Sequence, residues 1–174
     1  MIQPPQFYPV IPGAFFAGEY PGHQDPKVAR ERIEFLADLG VRLFVDLTTG
    51  ADGLEPYEQV LGELGVGGME RLACPVFDLD VPGSPEVMST ILDAVRSAVA
   101  ADRPVYVHCW GGVGRTGTVV GCWLREQGLP AVAALAKVQR LYRQMPKSRG
   151  RHPQSPETVA QRDYIRNWPP AIPD

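Results

Sequence analysis

Cys109-Trp110-Gly111-Gly112-Val113-Gly114-Arg115 places a sulfur nucleophile and a planar cation at the two ends of a glycine-rich run. Glycines at 111, 112 and 114 would let successive backbone N–H groups turn inward without Cβ clashes, which is how a chain builds a nest for phosphate oxygens. Arg115 adds a guanidinium fork matched to two of those oxygens. The form of cysteine that attacks phosphorus is the thiolate, and a field that binds phosphate also favours thiolate over thiol. The chemistry on offer is displacement at a phosphate ester by Cys109. Thr116 can donate its hydroxyl to the sulfur as it leaves. His108 precedes the turn and is placed to orient the loop by hydrogen bonds rather than to act as a base.

Such a loop needs a strand behind it and a helix in front. PVYVHC (104–109) has the β-branched and aromatic content of a buried strand, and VVGCWLREQG (119–128) reads as a helix ended by Gly128. A strand-to-helix junction brings unpaired N–H groups and the positive end of a helix dipole to the same place. Cys109 alone would read as a buried structural thiol; the glycines, the arginine and this junction argue for the working one. A nucleotide-binding loop of the form G-x-x-x-x-G-K-[ST] fits poorly, because Cys109 occupies its first glycine position and Arg115 its lysine position. A sulfur-transfer loop would form a ring one residue shorter.

HCWGGVGRTG (108–117) resembles the H-C-x5-R-[ST] signature of cysteine-dependent protein tyrosine phosphatases, in the form of their dual-specificity-like branch. The likeness extends more weakly to VDLT, to a following loop with Glu55 and Tyr57, and to a final SPET…Q…W helix, from about Gly13 to Trp168. It implies a metal-free, two-step phosphatase in which the amides of 110–115 and Arg115 hold the phosphoryl group. Relatives of this kind carry a general acid in a motif similar to P-x-x-D-x-x-x-P, and Pro75, Asp78 and Pro82 match that spacing. Asp78 is therefore the expected proton donor and Asp80 the alternative. The resemblance also implies a water-positioning glutamine, at Gln161 or at Gln154, against which stands the simpler reading of a solvated surface glutamine. Trp110 is expected at the pocket rim.

The elements around this centre are legible. Asp25-Pro26, Ser84-Pro85 and Ser155-Pro156 each set a capping side chain before a proline suited to the first helical position. Helices are expected from Pro26 to Gly40, from Pro85 to Pro104, after Pro130, and from near Pro156 to Pro169. The third should bury Val132, Leu135, Val138, Leu141, Tyr142 and Met145. Residues 41–47, 13–20 and 70–79 read as further strands. The fold class is α/β: one domain over residues 1–174, with a central mixed, mostly parallel sheet, helices on both faces and a phosphatase-like outline. Residues 1–12 and 169–174 read as tails.

The remaining signals bound the function. Hydrophobic residues make up 44% and charged residues 21%, as in ordinary globular chains, and a net charge of −3 offers no attraction for nucleic acid. No stretch reaches the roughly 20 apolar residues of a membrane span. Three scattered cysteines indicate neither a disulfide framework nor a metal site. Cys122 reads as core, and Cys74 as a possible disulfide partner for an oxidised Cys109. Asp46 reads as a structural strand-end carboxylate, and Lys147, Arg149, Arg151 and His152 as a solvated basic loop. A cytoplasmic, cofactor-free phosphatase follows, acting on a phosphorylated protein or a small phosphate ester. Phosphotyrosine is preferred, because lipid-directed relatives tend to carry lysines inside the loop and 110–114 has none. A phosphate-binding module without turnover is the rival of another class.

Overall fold

The computed structural model describes residues 3–170. Its centre is three short, fully buried strands of Val, Phe, Leu and Tyr: β2 (Phe15–Gly18), β3 (Leu43–Asp46) and β5 (Val105–His108). With β1 (Phe7–Ile11) and β4 (Glu70–Ala73) they make one sheet in the order β1-β2-β5-β3-β4, parallel except for the antiparallel β1–β2 pair. Both faces carry helices. On one lie α1 (Pro26–Asp38) and α2 (Glu58–Leu64), covering an aromatic cluster that includes Phe44, Tyr57 and Tyr106. The other carries α3 (Pro85–Ala100), α4 (Gly114–Glu126), α5 (Ala131–Tyr142) and α6 (Val159–Asn167) over the larger aliphatic core. Among the described residues no helix is long and apolar enough to cross a membrane, and no cluster of side chains could hold a metal ion.

The expected class and most elements stand, with several corrections. Residues 7–11 are a strand, not a tail. Four prolines before position 13 suggested loose chain, but Pro9 sits on an edge strand, where a missing N–H is tolerated. Of the expected C-terminal tail, residues 171–174 lie outside the described residues. Helix α2 was not anticipated, since Gly62 interrupts a segment with a single buried apolar residue, Leu61. In α5, Val132 is 80% exposed and Ala134 takes the buried position instead. Ser84 makes no capping hydrogen bond.

Helix α6 starts at Val159 rather than Pro156. Its cap is Thr158, whose hydroxyl accepts from Gln161 N while the Gln161 side chain accepts from Thr158 N. That reciprocal pair is the T-x-x-Q capping box, a signal present in TVAQ and overshadowed by Ser155-Pro156. Ser155 instead donates its hydroxyl to the Val113 carbonyl, at 2.7 Å.

Candidate active site

Parallel strands end on one side of the sheet, and in α/β folds ligands bind beyond those carboxyl ends. The register aligns Asp46 with His108 on one side and with Ala73 on the other. Three chain exits therefore converge: Leu47, Cys74 and Cys109. Cys109 and Asp78 line a common cavity of about 300 Å³ with Trp110, Gly111, Val113 and Gly114.

The segment 109–116 is buried apart from Trp110 and a half-buried Gly111. Gly112 has φ of +70°, and a Cβ there would lie 2.4 Å from the Gly18 carbonyl carbon. Gly114 has ordinary helical geometry, but a Cβ there would strike the Gln161 amide at 2.8 Å. Gly111 has room for a side chain, so it is not one of the positions that require glycine. The glycines thus serve two different ends, one a turn and the other the close seating of α6. Tyr20 N donates to the Trp110 carbonyl at 2.9 Å and tethers the loop to the end of β2.

Among the described residues, none of the N–H groups of 110–116 donates to a protein acceptor. Arg115 Nε and Thr116 Oγ1 are also buried without a partner. Buried donors are normally satisfied, so a cluster of unpaired ones at a helix N-terminus is chemically suited to an anion.

Arg115 is 2% exposed. Its Nη1 and Nη2 meet the two Asp52 oxygens at 3.0 and 2.8 Å, and Nη1 also donates to the Val76 carbonyl at 3.0 Å. This fork fixes the guanidinium plane and leaves Nε free. Asp52 was not singled out from sequence, although Thr49-x-x-Asp52 is itself a capping box. Burial works against its charge, but the hydrogen bonds from Arg115 and the Thr49 N–H outweigh it and hold the carboxyl below the usual range. The second carboxylate is Asp78, whose Oδ1 lies 3.1 Å from Arg115 Nη2. Asp80 turns away: its side chain accepts from Val81 N and its carbonyl from Gln161 Nε2. Between them Leu79 has φ of +63°, unusual for a residue other than glycine.

His108 is fully buried, with Nε2 2.7 Å from the Tyr57 hydroxyl and Nδ1 3.4 Å from the Cys109 carbonyl. A carbonyl can only accept, so Nδ1 carries the proton and Tyr57 O–H donates to Nε2. Burial pushes the imidazole pKa down to about 4 against the pull of nearby Asp46. It is therefore neutral at pH 7. Asp46 accepts from Thr48 N, Thr48 Oγ1 and Arg71 Nε at 2.8, 2.6 and 2.9 Å, as a structural carboxylate should.

Gln161 is wholly buried, which overturns the surface reading; it joins the α6 cap to the loop that carries Asp78. Gln154 is exposed and outside this cavity. Lys147 and His152 line the cavity, so the basic run is not simply solvated. Lys147 Nζ donates to the Gly111 carbonyl at 3.0 Å and pairs with Glu19. Cys74 and Cys109 leave strands on either side of β3, so they stand two strand spacings apart, about 9.5 Å. That exceeds the reach of a disulfide without backbone movement. Cys122 is buried in the core, as expected.

A family model described as "Polymorphic toxin system, DSP-PTPase phosphatase" matches residues 20–129, which include β3, β4, β5 and α4 and the candidate residues Asp46, Asp52, Asp78, Asp80, His108, Cys109, Trp110, Arg115 and Thr116. The chain is 25% identical over 142 residues to inositol diphosphatase DSP3 of Arabidopsis thaliana, covering 80% of this chain and 64% of the relative. Against putative tyrosine phosphatase 067L of Invertebrate iridescent virus 3 it is 29% identical over 143 residues, covering 80% and 52%. The chain thus spans between half and two-thirds of the length of these relatives. In fold it is similar to Tk-PTP in its active form, with a TM-score of 0.74 at 24% identity over 94% of this chain and 96% of the other.

Proposed function

We propose a catalytic cycle for this chain, which belongs to the family of DSP-PTPase phosphatases of polymorphic toxin systems. In the first step the Cys109 thiolate attacks phosphorus, the bond to the ester oxygen breaks, and Asp78 gives that oxygen its proton. In the second, Asp78, now ionised, takes a proton from water as the water oxygen attacks the phosphocysteine. The S–P bond then breaks with its electrons on sulfur, and the Thr116 hydroxyl donates to the thiolate formed. Arg115 Nε and the amides of 110–115 meet the charge that spreads over the equatorial oxygens, and Asp52 keeps the guanidinium in place. His108 sets the loop from behind, and Gln161 holds the Asp78 loop.

The observation that carries this reading is the convergence, in one cavity, of Cys109, an anion-ready set of unpaired donors and Asp78. A module that merely binds phosphate has no use for a proton donor across from a thiol. Among substrates we favour phosphotyrosine. Trp110 and Leu79 line the cavity and are each more than half exposed, so the mouth offers apolar surface to a phenyl ring.

A small phosphate ester is the second reading, and one contact supports it. The loop contains no lysine, yet Lys147 brings its ammonium to the Gly111 carbonyl from 36 residues away. The argument from a lysine-free loop is weakened to that extent, and one relative is described as an inositol diphosphatase. In either case the thiol needs a reducing compartment such as the cytoplasm.

Hydrolysis of p-nitrophenyl phosphate at pH 5 to 7, with chelator present, is the test. The native chain should turn over and Cys109→Ser should fall to background while still binding vanadate. A folded, reduced native protein without turnover would leave the phosphate-binding module standing.

A further inference from the structure

Beside the first cavity lies a second of about 350 Å³, and the two share Trp110, Gly111 and Lys147. Its remaining wall comes from the chain after β2, from α1 and from Leu54, with His23, Gln24 and Arg32 among its groups. The charges of the two cavities differ. The first has Asp78 and Glu157 on its lining against Lys147, so an additional anion there would meet two carboxylates. In the second the one carboxylate is Glu19, and it is already engaged: Oε1 accepts from Gln6 N at 2.9 Å and Oε2 from Lys147 Nζ. Arg32 donates Nε to the Gln3 carbonyl at 3.2 Å and makes no ion pair among the described residues. Its terminal nitrogens thus have no carboxylate at ion-pairing distance among the described residues.

A half-buried arginine that shares a cavity lining with an amide and an imidazole is a receptor for an oxyanion. It lies across an exposed indole from a cavity suited to a phosphoryl group. Resting on the phosphatase reading above, we infer that the second cavity is a subsite for a carboxylate or phosphate borne by the substrate beside the scissile phosphate. The substrates it selects are phosphotyrosyl segments with an acidic side chain next to the phosphotyrosine. An extended chain advances about 3.3 to 3.6 Å per residue, and the two cavities share Trp110, Gly111 and Lys147, so the residue beside a seated phosphotyrosine is the one placed nearest the second cavity. The exposed indole gives the intervening backbone an apolar surface to lie on.

The test compares two phosphotyrosyl peptides that differ only in Glu or Gln beside the phosphotyrosine. The native protein, Arg32→Ala, Arg32→Lys and His23→Ala are measured on both. The native chain should prefer the Glu peptide by about fivefold in kcat/KM, the size of one solvent-accessible charge pair. The preference should lie in KM and shrink as salt is raised. Arg32→Ala should bring the ratio to about one, Arg32→Lys should retain most of it, and His23→Ala, on a different segment, should lower it in part. A native ratio of one, or a ratio that survives Arg32→Ala, overturns the proposal. Arg32-dependent selection among inositol phosphates without any for peptides overturns the peptide assignment. p-Nitrophenyl phosphate, which has no second anion, is measured alongside: no native turnover, or turnover kept by Cys109→Ser, would mean that the phosphatase reading itself had failed.

Discussion

The β5–α4 loop and the loop between β4 and α3 both leave the carboxyl ends of parallel strands, and they are built in opposite ways. The first is gripped on every side: His108 by Tyr57, Gly112 by the backbone at Gly18, Val113 by Ser155, and Arg115 by Asp52. The second is exposed from Phe77 to Asp80 and is tied by few contacts. Besides Arg115, which reaches the Val76 carbonyl and Asp78, they include Val76 N to Leu47 O, Thr158 Oγ1 to Leu79 O, and Gln161 Nε2 to Asp80 O. Donors that stabilise a developing charge work best when they need no reorganisation, so an anion-binding loop gains from rigidity. A proton donor must change partners during the reaction. Asp78 pairs with Arg115 here and, in the proposed cycle, must reach a leaving oxygen in the first step, which suits a segment with few bonds and high exposure.

Substitutions can break that contrast. Asp78→Asn should cost about 10²- to 10⁴-fold in kcat on alkyl or unactivated aryl phosphates and much less on p-nitrophenyl phosphate, whose leaving group needs little protonation. Asp80→Asn should change either rate less than about twofold. Equal losses on both substrates, or a larger loss at Asp80, would move the acid off Asp78. Asp52→Asn tests the rigid side. Removing one partner of a buried ion pair should lower stability by about 3 kcal/mol, read as an earlier urea transition. Activity should fall too, because the guanidinium loses the fork that sets its plane; unchanged stability would show that Asp52 does not anchor the loop.

A smaller effect follows from pH. His108 is held near 4 in the folded chain against an unfolded value of 6.5, so the unfolded state takes up its proton first as pH falls. Stability from this group is present above pH 6.5 and is lost progressively down to about pH 4, amounting to about 2 kcal/mol between pH 7 and pH 5. Urea midpoints across this window should fall in the native chain and fall less steeply in His108→Gln. Parallel slopes would mean that His108 is not the neutral group holding the rigid loop.

Local signals carried much of this molecule. The proposed nucleophile and the cation lie six positions apart in a single strand–loop–helix, so their meeting is a property of neighbouring residues. Proline-preceded helix starts and β-branched runs likewise marked most of the sheet and helices. The errors arose where one local signal masked another: Pro9 hid an edge strand, and Ser155-Pro156 hid the Thr158–Gln161 cap. Asp78 was reachable through the spacing of Pro75, Asp78 and Pro82. Its advantage over Asp80 shows in the direction of the two carboxylates, one toward Arg115 and the other onto its own turn.

What the sequence by itself determined was the proposed reactive core, Cys109 with Arg115 on a glycine-rich turn at the end of a buried strand, because backbone conformation and local order suffice to build it. Tertiary structure alone decided what surrounds that core. Asp52 reaches Arg115 from 63 residues away, Gln161 is drawn inside by Gly114, and Lys147 and Arg32 come to flank Trp110 from opposite ends of the chain. Such partnerships depend on how helices seat on a sheet, and that is set by packing across the whole core rather than by any run of neighbouring residues.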